Sequence, residues 1–575
     1  MPVYGIGSGS PKTVRSTSHR MAGHGELFDR ILILCAFVSV AACYAFYLGR
    51  TELIIHSDMA TEILTGREMF LQKTPFLKEY YHSTEIFLIR TSLFVALWLF
   101  ATDTLMSAFR LAVVTDIVLQ IAGYLYMTKR LGVSGKAAAL GLLAFFGART
   151  YVSGEFAGMG ASSYGTMYAA VFATVGFYAA LRLGTLNRTD SFVRLLLPVL
   201  ALLFGISSMR FLYTVIGPLI LAHVAAKIWS RLPHDWTRDK VLRELMIWAA
   251  LAAGGWLYTR YVIMPRGFGP LEKQTLAANG LAGVWTDTLP RLVLELVRFN
   301  PLDKAAGEFR FTSIAGAAGV LCVLFYAACL WGLIRTSRPV FPTRCTIYRF
   351  FIISIAIMAL SSLTLLNSIE VKLRYLAMIY ALAALVPAVH YGDLSSEKPG
   401  LARAFLALSC VFFIVNSLQT IREFPIAQAV NPSRVAVRRT GEIEDSLRRH
   451  GINRAYSLYW QSAVETVLTN GRIEVCGVFG DMTPVRYMAN YDVYSPERSS
   501  ERTAYILVDI PVAEGFEGMV QFGVTDRTLL NEAESSEIIR DTEGDVTIFY
   551  FDRNPFVFPQ SHDPSKDFVP AYLVN

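Results

Sequence analysis

The chain is 575 residues long, 53% hydrophobic and 17% charged, with a mean hydropathy of +0.41. Soluble domains carry about 25% charged residues, so this composition excludes a string of ordinary soluble domains and points to a polytopic membrane protein. The net charge of +7 fits Lys and Arg gathered in cytoplasmic loops; with no basic stripe interleaved with aromatics, it argues against a nucleic-acid partner.

Residues 1–30 form a polar, basic tail, and 1–25 read as disordered. The apolar run 31–48 reads as a signal anchor rather than a cleaved signal peptide, because no small-residue cleavage site follows it. Runs long enough to cross about 30 Å of hydrocarbon then recur, at 31–49, 109–127, 162–183, 191–208, 211–229, 244–264, 311–334, 346–366, 373–391 and 402–419. Two more, 86–103 and 136–149, are short or interrupted. The expected fold is an α-helical polytopic membrane protein of about 11–13 transmembrane helices, comprising residues 31–424, with a small C-terminal extracytoplasmic α/β domain at 425–575. Of seven cysteines, only Cys476 lies in that domain, so no disulfide forms within it.

Basic clusters at Lys129/Arg130, Arg182/Arg188, Lys227 to Lys240 and Arg335 to Arg344 belong in the cytoplasm. That places the loops 50–85 and 265–310, the turn holding Arg374 and the tail outside. The crossings conflict at one point, because two candidate spans separate the external loop 50–85 from the internal Lys129. A segment 86–103 that does not fully span removes the conflict, and Arg90 within it is a residue that a lipid-facing helix avoids. In 265–310, an apolar stripe from Leu289 to Val297 suggests an interfacial helix that serves as a packing lid or a flap. Beyond Pro425, strand-like runs at 454–459, 473–479, 504–510 and 546–551, with a helical run at 460–469 closed by Asn470-Gly471, spell the α/β domain.

The chemistry is concentrated at the lip of the bilayer. The segment His56 to Glu85 carries Asp58, Glu62, Glu68, Glu79 and Glu85 between apolar runs, where ionised groups are costly to desolvate. Ser57 to Phe70 reads as a helix lying on the membrane with Met59, Ile63, Gly66 and Phe70 downward, capped by Ser57 or Asp58, with Glu62 and Glu68 on its solvated face. Glu85 is either a first-turn acid, paired with Arg90, or a group facing an aqueous cavity. Lys372 and Arg374, against the trend for external loops, call for an anion, and phosphate suits a bidentate Arg; Arg210 is a further external cation. His56 with Asp58 and His82 with Glu85 lack the spacing of a known histidine metal site, whereas carboxylates alone could hold a hard divalent cation such as Mg or Mn.

An acidic first loop, a cationic Arg-Tyr-Leu segment before a late span and an external α/β tail together resemble the GT-C superfamily of polytopic glycosyltransferases, which use polyprenyl-phosphate-linked sugars. By that resemblance Asp58 in HSDMA is the general base or acceptor-positioning acid, Glu85 in HSTEIF the second acid, and Arg374 in KLRYL, with Lys372, the group that holds the donor phosphate. His56, His82 and Tyr375 are candidate substrate contacts. The tract Tyr459 to Ala463 with Leu468 to Glu474 resembles one found after the spans in uncharacterised bacterial members. The chain departs from the family in having no Asp-Asp or Glu-x-Asp in the first loop, and His82 to Glu85 lacks the Lys-Pro-Pro that follows the acid in lipid A aminoarabinose transferases. The resemblance implies sugar transfer, by inversion, to an extracytoplasmic glycan, lipid or protein. A lipid or glycan transporter, for which Asp116 within 109–127 would be the mid-span charge, and a non-catalytic membrane scaffold are the competing classes.

Overall fold

The computed structural model describes residues 15–82, 86, 88–147, 160–229, 239–263, 385–422, 424–429, 431, 433–480, 484–485, 488–495, 501–509, 531, 533–540 and 545–555. Glu85, Lys372, Arg374, Tyr375 and the loop 265–310 lie outside them.

The bundle is built from α1 (Arg15–Gly49), α4 (Leu105–Arg130), α5 (Gly135–Gly147), α6 (Gly160–Leu183), α7 (Arg188–Ser207), α8 (Gly217–Trp229), α9 (Lys240–Tyr258), α10 (Leu385–Glu397) and α11 (Pro399–Arg422). Helix α1 starts at Arg15, ahead of the apolar run, so residues 15–25 are helical where disorder was expected; a helix already nucleated in apolar sequence extends cheaply by further turns. Among the described residues, five helices are long and apolar enough to cross a membrane, on α1, α4, α6, α7 and α11. At 1.5 Å per residue α4 is about 39 Å long, more than the hydrocarbon thickness.

Lipid tails are as apolar as Leu, so bundle helices are held by close packing rather than by escape from water. The crossing of α7 and α9 shows how close. A Cβ on Gly205 would lie 2.1 Å from the Ala252 carbonyl oxygen, and one on Gly255 2.4 Å from that of Leu202. Around this contact Tyr124, Phe145, Tyr168, Phe172, Phe177 and Trp248 fill the bundle interior.

The two ends of the bundle differ. At one, ion pairs tie helices together: Arg130 of α4 to Asp190 of α7 at 2.8 Å, Lys136 of α5 to Asp29 of α1 at 2.7 Å, and Lys227 of α8 to Asp239 at the cap of α9. The described basic clusters fall at this end. At the other lie α2 (Ser57–Gln72), α3 (Thr91–Trp98) and the C-terminal domain. Helix α3 is about 12 Å long, too short to span, so α4 alone carries the chain from the α2 end to Lys129. That single crossing removes the conflict in the count.

Helix α2 does not lie on a surface as its periodicity suggested. Ser57, Met59, Ala60, Thr61, Glu62, Ile63, Thr65, Gly66 and Met69 are all buried, covering most of its circumference. It is sandwiched between α3 and α4 on one side and α14 (Tyr459–Leu468) of the C-terminal domain on the other. That second wall comes from some 400 residues further along and was invisible to local periodicity.

The C-terminal domain follows α12 (Phe424–Ala429) and α13 (Arg434–Arg449). Its five strands stand in the order β3 (Glu474–Val478), β2 (Arg454–Leu458), β5 (Thr503–Asp509), β7 (Asp545–Phe551), β6 (Ser535–Ile539). Strand β2 runs parallel to β3 and β5, and β7 antiparallel to β5 and β6. The four strands expected from sequence are present; β6, an exposed edge strand reading SSEII, was not foreseen. Among the links that bind the domain to the bundle end are a strand pairing and a side-chain bond. Strand β1 (Tyr80–Tyr81) pairs with β4 (Ala489–Asn490), and Asn470, at φ 55°, accepts the Leu105 N–H at 2.8 Å at the start of α4.

Candidate active site

Asp58 stands in the first turn of α2, and the cap of that helix is His56, not Ser57 or Asp58: the Asp58 backbone N–H donates to His56 Nδ1 at 3.2 Å. The two residues expected as caps turn outward to the C-terminal domain. Ser57 Oγ donates to the Tyr459 carbonyl, and the Tyr459 hydroxyl donates to Asp58 Oδ1 at 3.0 Å. The edge of the Trp460 ring meets His56, with centroids 6.2 Å apart. Asp58 is half-buried at this junction.

One turn on, Glu62 is 3% exposed and paired with Arg90 at 3.3 Å, so it is not a solvated-face residue. Burial pushes its carboxyl up to about 7, against the opposing pull of Arg90 and of the Ser92 backbone N–H. Arg90 thus has an acid partner in Glu62, on the preceding helix. Next to Arg90, Thr91 donates to Asp116 Oδ2 at 2.7 Å, and Asp116 is fully buried in α4. Gly165 makes room for it, since a Cβ there would come within 2.7 Å of the Asp116 carboxyl carbon. Asp116, the mid-span charge of the transporter reading, is thus bonded to the residue that follows Arg90 and lies within electrostatic reach of Glu62.

Glu68 is also mostly covered rather than solvated. Burial raises its carboxyl above the ordinary range, opposed by a hydrogen bond from the Asn490 side chain. It lines a half-open cleft between α2 and the C-terminal domain, together with Arg67, Tyr80, Tyr459, Glu474 and Asn490.

His82 is 6% exposed, and burial lowers its imidazole to about 4, so it is neutral at pH 7. It lines a second cleft, between the segment 72–86 and the end of α9, with Lys78, Tyr258 and Ile263. Arg210 lies at this same end of the bundle: three residues earlier, at the end of α7, the Ser207 carbonyl accepts the Ile86 N–H at 3.3 Å. The structure thus brings Asp58, His56, His82 and Arg210 to one end. Glu85, Lys372, Arg374 and Tyr375 fall outside the described residues. Among those described, no three His, Cys, Asp or Glu side chains gather to hold a metal ion.

Sequence reasoning missed two partners here. Glu62–Arg90 joins residues 28 apart, and Tyr459–Asp58 residues 401 apart. The one available signal was the Tyr459-Trp460 tract, singled out by resemblance without a role.

No family model and no curated protein matches the chain. A solved structure does: ArnT from Cupriavidus metallidurans bound to undecaprenyl phosphate. The likeness has a TM-score of 0.57 at 12% identity and covers 91% of this chain and 99% of that one. The fold is therefore that of this ArnT structure, carried through bundle and C-terminal domain alike, and the chain is a multi-pass membrane protein.

Proposed function

We propose that the chain is a membrane glycosyltransferase that moves a sugar from a polyprenyl-phosphate carrier to an extracytoplasmic acceptor, with inversion. The observation that carries the reading is the near-complete fold likeness to a protein holding undecaprenyl phosphate, with Asp58 at the junction of bundle and C-terminal domain. The acceptor hydroxyl attacks the anomeric carbon, the bond from that carbon to the phosphate oxygen breaks, and Asp58 takes the hydroxyl proton. The leaving phosphate ester is already a weak base, so positive charge beside it suffices without a general acid. Arg374 and Lys372, with Arg210, are assigned to that phosphate, and Glu85 is assigned as the second acid. The active end faces outward, because the ion-paired, basic end of the bundle suits the cytoplasm.

The reading is tested in proteoliposomes loaded with radiolabelled polyprenyl-phosphate sugars and an envelope extract as acceptor source. Label should pass from lipid to a water-soluble or non-polyprenyl product. Movement of intact donor across the bilayer without bond cleavage would replace the enzyme by a transporter.

A further inference from the structure

We propose that Tyr459, supplied by the C-terminal domain, is a positioning residue for the Asp58 carboxylate. The kinetic consequence rests on the glycosyl-transfer reading; the contact itself does not.

Four successive residues ahead of and within the first turn of α2 are tied to the segment 431–460. The Ile55 carbonyl accepts from Asn431 Nδ2 at 2.9 Å, His56 meets the Trp460 ring, Ser57 Oγ donates to the Tyr459 carbonyl, and Asp58 Oδ1 accepts the Tyr459 hydroxyl at 3.0 Å. Below them Met59, Ala60 and Ile63 pack against Ala463, Val464 and Val467 in one apolar cluster. This platform is fixed from both sides, and the last link in it is a single hydroxyl.

A carboxylate in the first turn of a helix tends to fold back onto the exposed backbone N–H groups. Here His56 Nδ1 already takes the Asp58 N–H, and the Tyr459 hydroxyl draws the carboxylate the other way. Holding one oxygen fixes the plane of the group. A general base needs that control, because its oxygen must come within about 2.6–3.2 Å of the proton it removes. Tyr459 also lines the cleft shared with Arg67, Glu68 and Asn490, so the contact sits at the rim of the space next to α2.

Asp58 is met from its own segment by His56 and Glu62, from α3 by Arg90 through Glu62, and from α14 by Tyr459. Asp116 on α4 reaches this group through Thr91 and Glu62. Tyr459→Phe changes none of these except the hydroxyl, and it keeps the ring packing and the carbonyl that accepts from Ser57.

Two readouts on the full-length protein test the proposal. Transfer by Tyr459→Phe should show kcat lowered by about 10-fold, with donor KM within about twofold. The acid limb of its pH profile should move up by about one unit, because a hydrogen bond donated to a carboxylate favours the charged form. Independently of turnover, pH-difference infrared should place the Asp58 carboxyl band, identified by its loss in Asp58→Asn, at a higher midpoint in Tyr459→Phe. An unchanged midpoint with unchanged kcat overturns the assignment. If the wild type transfers no sugar yet the midpoint still rises in Tyr459→Phe, the contact stands and the transfer reading falls.

Discussion

Glu465, on α14, is 1% exposed, and neither of its carboxylate oxygens has a hydrogen-bond partner among the described residues. Burial pushes its carboxyl from 4.5 up to about 8. The folded protein therefore keeps a proton that the unfolded chain releases, and the associated stability is present in full below about 4.5 and lost as pH rises through about 8. Glu465→Gln removes that dependence. Its melting temperature relative to wild type should climb between pH 5 and about 8.5 and level off beyond; a difference that stays constant with pH would contradict the assignment. Glu62 differs from Glu465 in having Arg90 beside it. Removing one partner of such a pair leaves a buried charge, and that costs more than the pair itself contributes.

At the scale of elements, α7 and α9 approach through Gly205 and Gly255, with no space for a side chain between the Gly205 position and the Ala252 carbonyl. The obstacle is backbone, which cannot swing aside as a flexible side chain can. Gly205→Val should push the helices apart and sharply lower the yield of monodisperse, detergent-extracted protein, whereas Gly254→Val, on a glycine with open space around it, should leave yield near wild type. Equal yields would contradict the crossing. Elements defined by composition or local pattern were readable from the chain: the apolar runs that form α1, α4, α6, α7 and α11, the strands at 454–458, 474–478, 503–509 and 545–551, and the turn at Asn470-Gly471. The surroundings of α2 were not. Its period of apolar residues described one face, while the burial of Glu62 and Glu68 on others depends on walls from α3, α4 and the C-terminal domain. Likewise Asp58 could be picked out as an acid at a membrane lip, but its release from capping depends on the His56 ring orientation, which no spacing rule states.

As a whole, the molecule is a two-ended bundle with the C-terminal domain packed against one end. In the proposed orientation the ion-paired, basic end of the bundle faces the cytoplasm, and α3, too short to cross, makes the parity of crossings consistent. A C-terminal reporter active only in the cytoplasm should accordingly be silent, and one active only outside should work; the reverse pattern would invert the molecule and detach the proposed site from any external acceptor. In the proposed function Asp58 acts as the base. Asn in its place keeps the shape and can still accept the Tyr459 hydroxyl, but it cannot take a proton. With the cap provided by His56, little structural loss is expected. The most direct measurement compares wild type and Asp58→Asn in proteoliposomes, reading sugar transfer from a radiolabelled polyprenyl-phosphate donor beside binding of that donor. Transfer should fall by about 100-fold or more with donor binding within about twofold, whereas near-normal transfer by the folded, inserted variant would contradict the account.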